Sequence, residues 1–323
     1  MSIYVSGSIA YDRVMTFPGT FSEYIFPDKI HMLNVCFPIG HMDEKRGGTA
    51  GNIAYNLALL GEKSTILTSV GRDFGSYKEF LQKVGLTLEG INQLPEEFTS
   101  GAYITTDRLS NQITGFHMAA MGVPCGYKYP NLNPATDIAI IAPANVEDME
   151  SHAKFYTEKG VRYIFDPGQQ IPILKPEQII AGIKGSIALV SNDYELELIC
   201  NITGLTLKQI LELTPVVITT LGEQGSRIEY RNGKQSSVGV AQINQLSDPT
   251  GAGDSYRAGL IKGLMQNMSF EDSARLASVC ASFCVECYGT QEHFYNEETL
   301  NHRLQQAYGM KLPFSITPLF THE

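Results

Sequence analysis

In Ser247-Asp248-Pro249-Thr250-Gly251-Ala252-Gly253-Asp254-Ser255-Tyr256-Arg257-Ala258-Gly259, small residues lead without a break into a helical run. The backbone N–H groups of Gly251, Ala252 and Gly253 can then point at one anion, reinforced by the helix dipole. Such donors stabilise charge developing on a transferring phosphoryl group. Asp254 falls in the first helical turn beside that anion site, where a carboxylate can accept a hydroxyl proton as the oxygen attacks phosphorus. Two commoner phosphate motifs do not fit. The chain has no G-x-x-x-x-G-K-[ST], and G-x-G-x-x-G fails because position 256 is Tyr. An acidic residue in the first turn of an ordinary helix accounts for Asp254 equally simply, so the surroundings must decide.

Upstream of this stretch, short apolar runs alternate with helical patterns. Residues 3–6, 64–70, 137–142, 162–165, 187–191 and 216–220 read as buried strands. Helices are expected at 49–60, 76–84, 146–159, 193–201 and 207–213, with longer ones at 253–266, 270–288 and 297–308. This alternation predicts an α/β fold, a mostly parallel sheet covered on both faces. Asn232-Gly233 signals a hairpin between 226–231 and 235–240. Two excursions break the rhythm: 13–46, with strand-like runs at 14–17 and 30–37, and 99–118, a hairpin turning near Asp107–Asn111. Together they predict a small β lid, leaving 1–12, 47–98 and 119–323 as the main α/β domain. The tail from Pro313 is expected to be poorly anchored.

The 323 residues carry a formal charge of −10, which argues against nucleic acid as a partner. No run of apolar residues is long enough to span a membrane. Six scattered cysteines fit reduced thiols in the cytoplasm.

Other segments add candidate chemistry. Gly47 and Gly48 open a helix where backbone can approach a ligand closely, and Asn52 lies one turn in. Asp12 ends the stretch that begins Gly7-Ser8, a carboxylate suited to a diol. Asn192 and Glu195 share a helical face and offer hard oxygen ligands for Mg²⁺, mainly through water; the same pair makes a helix capping box. Thr219-Thr220-Leu221-Gly222-Glu223-Gln224-Gly225 runs from strand into a turn that can hold nucleotide phosphates or ribose. Asp166-Pro167-Gly168-Gln169-Gln170 offers a carboxylate and two amides. Cys280, Cys284 and Cys287 match the C-x₃-C-x₂-C spacing of iron–sulfur radical enzymes. They lie in a strongly helical run, where i, i+4, i+7 spacing favours core packing. His293 is the one histidine expected near a ligand.

The order of these segments resembles the ribokinase/PfkB family of carbohydrate and nucleoside kinases. The resemblance rests on Asp12, Gly47-Gly48 with Asn52, Thr68-Ser-Val-Gly-Arg-Asp-Phe-Gly75, Asn192 with Glu195, Thr220-Leu-Gly222 and Gly251-Ala-Gly-Asp254. It implies a ribokinase-like three-layer sandwich with a β-sheet lid. It also implies Asp254 as catalytic base and Gly251, Ala252 and Gly253 as anion hole. Ser8, Asp12, Gly47, Gly48 and Asn52 would hold the substrate. Asn192, Glu195, Thr220, Gly222 and Gly225 would hold the nucleotide, with Mg²⁺ and ATP as cofactor and co-substrate; a monovalent cation such as K⁺ stays open. Gly51-Asn-Ile-Ala-Tyr-Asn56, Gln112-Ile113, Asp254-Ser-Tyr-Arg-Ala-Gly259 and Gly289-Thr-Gln-Glu292 are most similar to bacterial adenosine-kinase-like members. In those, Phe116 with Gln169 and Gln170 would contact the base, and two lids associate in a homodimer. Ala102 stands where some relatives carry a stacking aromatic, and alternation turns Tyr103 to the opposite face. This departure counts against adenosine, which the other matches make the expected acceptor, and keeps a sugar such as ribose or fructose as the alternative. An iron–sulfur radical enzyme and a non-catalytic sensor are the more remote ones.

Overall fold

The computed structural model describes residues 1–321. Its first half alternates as the apolar runs require: β1 (Ile3–Ser6), β2 (Ala10–Thr16), β3 (His41–Gly47), α1 (Thr49–Leu59), β4 (Ser64–Val70), α2 (Gly75–Lys83), β5 (Ile91–Gln93), β6 (Ser100–Thr106) and β7 (Gln112–His117). Then come β8 (Ile138–Ile141), α3 (Val146–Lys159), β9 (Arg162–Phe165), α4 (Pro176–Ile183), β10 (Ala188–Asn192), α5 (Asp193–Thr203) and α6 (Leu207–Leu213). The chain closes with β11 (Val216–Thr220), β12 (Ser226–Tyr230), β13 (Gln235–Val238), α7 (Ala252–Met265), α8 (Phe270–Val285) and α9 (Glu297–Tyr308).

A nine-stranded sheet runs β13-β12-β11-β10-β9-β8-β1-β4-β5. It is parallel except at β11-β12-β13, where the turns at Leu221–Gly225 and Asn232-Gly233 permit antiparallel pairing. Strand residues alternate between two cores. Ile3, Val5, Ile138, Ile140 and Val190 face the helices α1, α7 and α8. Tyr4, Ala139, Ile141, Tyr163 and Leu189 face α3, α4 and α5. The result is a ribokinase-like sandwich of helix, sheet and helix layers. Four further strands form a separate small sheet in the order β3-β2-β6-β7.

Helix α7 is buried along nearly its whole length. Its approach to α8 depends on glycine: a Cβ at Gly259 would lie 2.6 Å from the Ala277 Cα, and one at Gly263 2.8 Å from the Ser273 Cα. Gly259→Ala gains helix propensity, but the obstructing atom is backbone and yields only if the helices separate. We expect a net loss of roughly 1–3 kcal/mol, as for overpacking generally, measurable as a lower denaturation midpoint.

Several expectations are corrected. Residues 30–37 are not a strand; a 3-10 turn covers Pro27–Met32 and Phe37 joins Phe17, Phe21 and Tyr24 in an aromatic cluster. The lid strand is instead His41–Gly47, whose charged residues carry no apolar alternation. α4 and β5 were not anticipated. α4 begins with Pro176 at its first position, a start signal hidden among neighbouring prolines. α8 stops at Val285 rather than residue 288. The tail is docked as far as the described residues go: Ile316 is buried, the Leu319 N–H donates to the Ala58 carbonyl, and Phe320 packs on Tyr55. The last part of that expectation, residues 322–323, lies outside the described residues.

Candidate active site

Helices α1 and α7 pack side by side and bring Asn52 to Asp254. The Asn52 Nδ2 donates to the Asp254 Oδ2 at 2.7 Å. Asn52 is itself held, its Oδ1 accepting from the Thr290 Oγ1 at 2.7 Å and the Gln291 Nε2 at 2.8 Å. The amide can present its carboxylate-facing N–H in only one orientation, so Asp254 is fixed in turn. Among the described residues, the second Asn52 N–H meets no acceptor. Burial pushes the Asp254 carboxyl up to about 7, opposed by the Asn52 hydrogen bond and Arg257 and reinforced by Asp166 and Asp12. A carboxylate tuned near neutrality suits a general base.

Gly251 precedes α7 in a left-handed conformation (φ 80°), and a Cβ there would lie 2.9 Å from Thr290. Glycine at 251 therefore meets two demands: the positive φ that starts the helix and the close passage of the 290 loop. Behind the turn, the Cys284 Sγ donates to the Thr250 carbonyl at 3.6 Å.

Gly251, Ala252, Gly253 and Asp254 sit in one cavity of about 820 Å³ together with Thr49, Asp166, Gln169, Asn192, Glu195, Thr220, Gly222 and Gly225. The capping reading of Asn192 and Glu195 is realised: the Asn192 Oδ1 accepts from the Glu195 N–H at 2.7 Å and Glu195 Oε2 from the Asn192 N–H at 2.8 Å. Burial raises the Glu195 carboxyl. Both residues still face the cavity, and their oxygen donors fit a hard cation such as Mg²⁺. Gly225 (φ 87°) lets the β11–β12 turn pass the Val238 carbonyl, 2.0 Å from where a Cβ would be.

On the lid, Asp12 pairs with Lys45 and Ala102, and Ala102 with Phe116, so these residues share one face. Tyr103 is on the other face, where its hydroxyl accepts from the Arg13 Nη1. Gly47 makes room for the Asp12 carboxylate, since a Cβ there would lie 2.4 Å from its Oδ2. Gly48 (φ 89°) passes equally close to the Ser8 carbonyl.

Three expected ligand residues are turned elsewhere. The Ser8 hydroxyl accepts from the Thr49 N–H, closing the joint between β1 and α1. The Gln170 Nε2 donates to the Ala144 carbonyl at 2.7 Å and is buried, so only Gln169 of the pair reaches the cavity. His293 is buried, its Nε2 paired with the Asn56 Oδ1 at 2.9 Å, and burial pushes its pKa down to about 3. The Asp166 carboxylate is held by Arg257, at 2.7 Å from Nε and 3.0 Å from Nη2. Cys280 and Cys284 are core residues with thiols pushed up to about 12 by burial, and Cys287 lies beyond the end of α8. Core packing of Cys280 and Cys284, rather than a cluster, explains their spacing.

Residues 28–297 match the model of the pfkB family carbohydrate kinases. The chain belongs to this family. A nucleoside kinase of Methanocaldococcus jannaschii is 31% identical over 302 residues, covering 91% of this chain and 97% of that protein. The structure of a Burkholderia thailandensis nucleoside kinase in complex with inosine superposes with a TM-score of 0.85 at 31% identity, covering 96% of this chain and all of that one. Its ADP-inosine complex gives 0.82 at 33% identity, with 96% and 97% covered. This pfkB-family protein is thus a phosphotransferase with an alcohol acceptor, of the nucleoside kinase and ribokinase type. Among its described residues, no helix is long and apolar enough to cross a membrane.

Two parts of this kinase site escaped sequence reasoning. Val240, Ala241, Gln242, Ile243 and Leu246 wall the cavity from an irregular segment with no motif; the only signal was scattered apolar residues at and beyond the end of a hairpin. Arg257 stood within the quoted stretch, three residues after Asp254 and so on its helical face, but no partner for it was visible.

Proposed function

We propose that this chain is a nucleoside kinase transferring the γ-phosphoryl group of ATP to the primary ribose hydroxyl of a purine nucleoside, with adenosine as the expected acceptor. The observation that carries the reading is Asp254, tuned near neutrality by burial and aimed by Asn52, one residue from the glycine turn that opens α7. Asp254 takes the proton of the attacking hydroxyl. The N–H groups of Gly251, Ala252 and Gly253 with the α7 dipole hold the transferring phosphoryl group. Asp12, the free Asn52 N–H and the backbone at Gly47 and Gly48 orient the ribose hydroxyls, and Phe116 with Gln169 faces the base. Thr220, Gly222 and Gly225 approach the nucleotide donor. Asn192 and Glu195 would hold Mg²⁺, largely through water, and Mg²⁺ when bound offsets the negative charge of the donor phosphates.

In this reading the small sheet, with residues 13–46 and 99–118, acts as the lid over the acceptor. Met42, Tyr103 and Ile113 are exposed on the lid face away from Asp12, which supports a homodimer joined lid to lid. A cytoplasmic place in purine salvage fits an acceptor of this class. A sugar kinase is the second reading. It is favoured by Ala102, which leaves Phe116 as the single aromatic on its side of the hairpin.

The deciding experiment supplies Mg·ATP with adenosine, inosine, ribose or fructose and measures each phosphorylated product. Adenosine or inosine should give the highest kcat/KM. A preference for ribose or fructose replaces the nucleoside reading with the sugar one. Glu195→Gln should raise the Mg²⁺ concentration needed for half-maximal rate. Asn192→Ala should in addition lose an N-cap worth about 1 kcal/mol, readable in the denaturation midpoint.

A further inference from the structure

On the opposite side of the sheet from α7, the connection between β7 and β8 brings Cys125 against α3. There Asp148 and His152, one helical turn apart, face the same way. None of the three lines the active-site cavity. The Cys125 Sγ lies 3.7 Å from the His152 Nε2, and the Asp148 Oδ1 lies 4.0 Å from the same nitrogen. Among the described residues, this is the only cluster of three or more His, Cys, Asp or Glu whose ligand atoms converge, all within 4.8 Å of one another. We propose that Cys125, Asp148 and His152 form a binding site for a zinc-class divalent cation that fastens the 118–137 connection to α3.

Geometry comes first. A tetrahedral Zn²⁺ with bonds of about 2.0–2.3 Å sets its ligand atoms about 3.4–3.6 Å apart. The two distances to the His152 Nε2 need to contract by only a few tenths of an ångström, and the third side of the triangle, within 4.8 Å, by at most about 1.3 Å. Orientation is the second support. The Tyr129 hydroxyl lies 2.7 Å from the His152 Nδ1 and 2.8 Å from the Tyr156 hydroxyl. With Nδ1–H donating to Tyr129 and Tyr129 donating to Tyr156, the Nε2 lone pair is left facing Cys125 and Asp148. Metal-binding histidines are held in this way through their other nitrogen.

Charge is the third. Asp148 is 5% exposed, and its Oδ2 accepts the Cys125 N–H at 2.8 Å. Among the described residues, His152 is the one basic group within ion-pair distance of it. No Lys or Arg of the described residues lies within ion-pair distance of this buried carboxylate, and a divalent ion would supply positive charge there. Binding forms the sulfur–metal bond and releases the thiol proton to solvent, with no change in oxidation state. A soft thiolate, an imidazole and a carboxylate together favour Zn²⁺ over Mg²⁺.

The test uses the full chain, stripped with a chelator and titrated with Zn²⁺ or Co²⁺. We expect one equivalent to bind, the Co²⁺ form to show thiolate-to-metal charge-transfer absorption, and Zn²⁺ to protect Cys125 from alkylation as read by mass spectrometry. Cys125→Ser should abolish the charge-transfer band, and His152→Gln should weaken binding on the order of 100-fold. Should either variant fail to fold, alkylation of Cys125 in the unaltered chain still decides. Absence of stoichiometric binding overturns the proposal. So does a band that survives in Cys125→Ser, or Zn²⁺ that leaves Cys125 as reactive as before.

Discussion

Asp254→Asn is expected to lower kcat by about 10²–10⁴-fold, the usual cost of removing a general base, while leaving the KM for both substrates within a few-fold. The substitution keeps shape and an acceptor oxygen for the Asn52 Nδ2, which lies 2.7 Å from the carboxylate. The loss should therefore fall on the chemical step. A steady-state assay across pH separates this from a mere disturbance of binding. As a general base Asp254 would act only when ionised, and its carboxyl is pushed up to about 7. In the unsubstituted enzyme kcat/KM should fall tenfold per pH unit below about 7 and level off above it. In Asp254→Asn the residual rate should lack that limb. Turnover unchanged by the substitution would remove Asp254 from the mechanism.

The same titration acts on stability, with a definite sign. Asp254 binds its proton more tightly in the folded chain than in the unfolded one, where an aspartate carboxyl has its ordinary value of 3.8. Between about pH 4 and 7 the folded state therefore holds more protons, and stability falls as pH rises through that window. An asparagine has nothing to ionise. Asp254→Asn should gain denaturation midpoint relative to the unsubstituted chain on going from pH 4 to pH 8. Higher stability alongside lost turnover is the pattern of a group held in a costly state for function.

How far the sequence foretold this site depends on how local each part is. Gly251 to Asp254 was legible because a helix start and its first turn are written in consecutive residues. Asn192 and Glu195 were legible for the same reason: a capping box needs only i to i+3. The layered sheet followed from apolar alternation, which requires no knowledge of partners. What stayed hidden depends on pairing across long separations. Nothing near Asn52 shows that Thr290 and Gln291 will hold its amide, and nothing near Gln170 shows that its partner is the Ala144 carbonyl. Strand His41–Gly47 was hidden for another reason. One of its faces looks toward Asp12 and the other toward solvent, so burial writes no pattern into it. Cys280 and Cys284 show the converse hazard. Spacing that suggests ligands also results from a helix face packing into the core, Cys280 against Gly259 and Cys284 against Gly251.

Arg257→Met is the substitution expected to cost most in stability. Arg257 and Asp166 are 6% and 3% exposed and meet through two parallel hydrogen bonds. Burial disfavours the guanidinium charge, but Asp166 outweighs it and the pKa is raised overall. Removing the arginine leaves a buried carboxylate without its counter-charge, which typically costs about 3–5 kcal/mol. Arg257→Met with Asp166→Leu should recover most of that loss, because no unpaired charge is then left inside. Denaturant unfolding of the two single variants and the double variant checks this. The pair also acts on Asp254 with opposite signs, Arg257 lowering its pKa and Asp166 raising it. The acid limb of kcat/KM should accordingly move to higher pH in Arg257→Met and to lower pH in Asp166→Asn. A looser active site would lower the rate in both without moving the limb. Opposite shifts would show that the buried ion pair joining α7 to the end of β9 sets the proton affinity of Asp254, besides holding the helix in place.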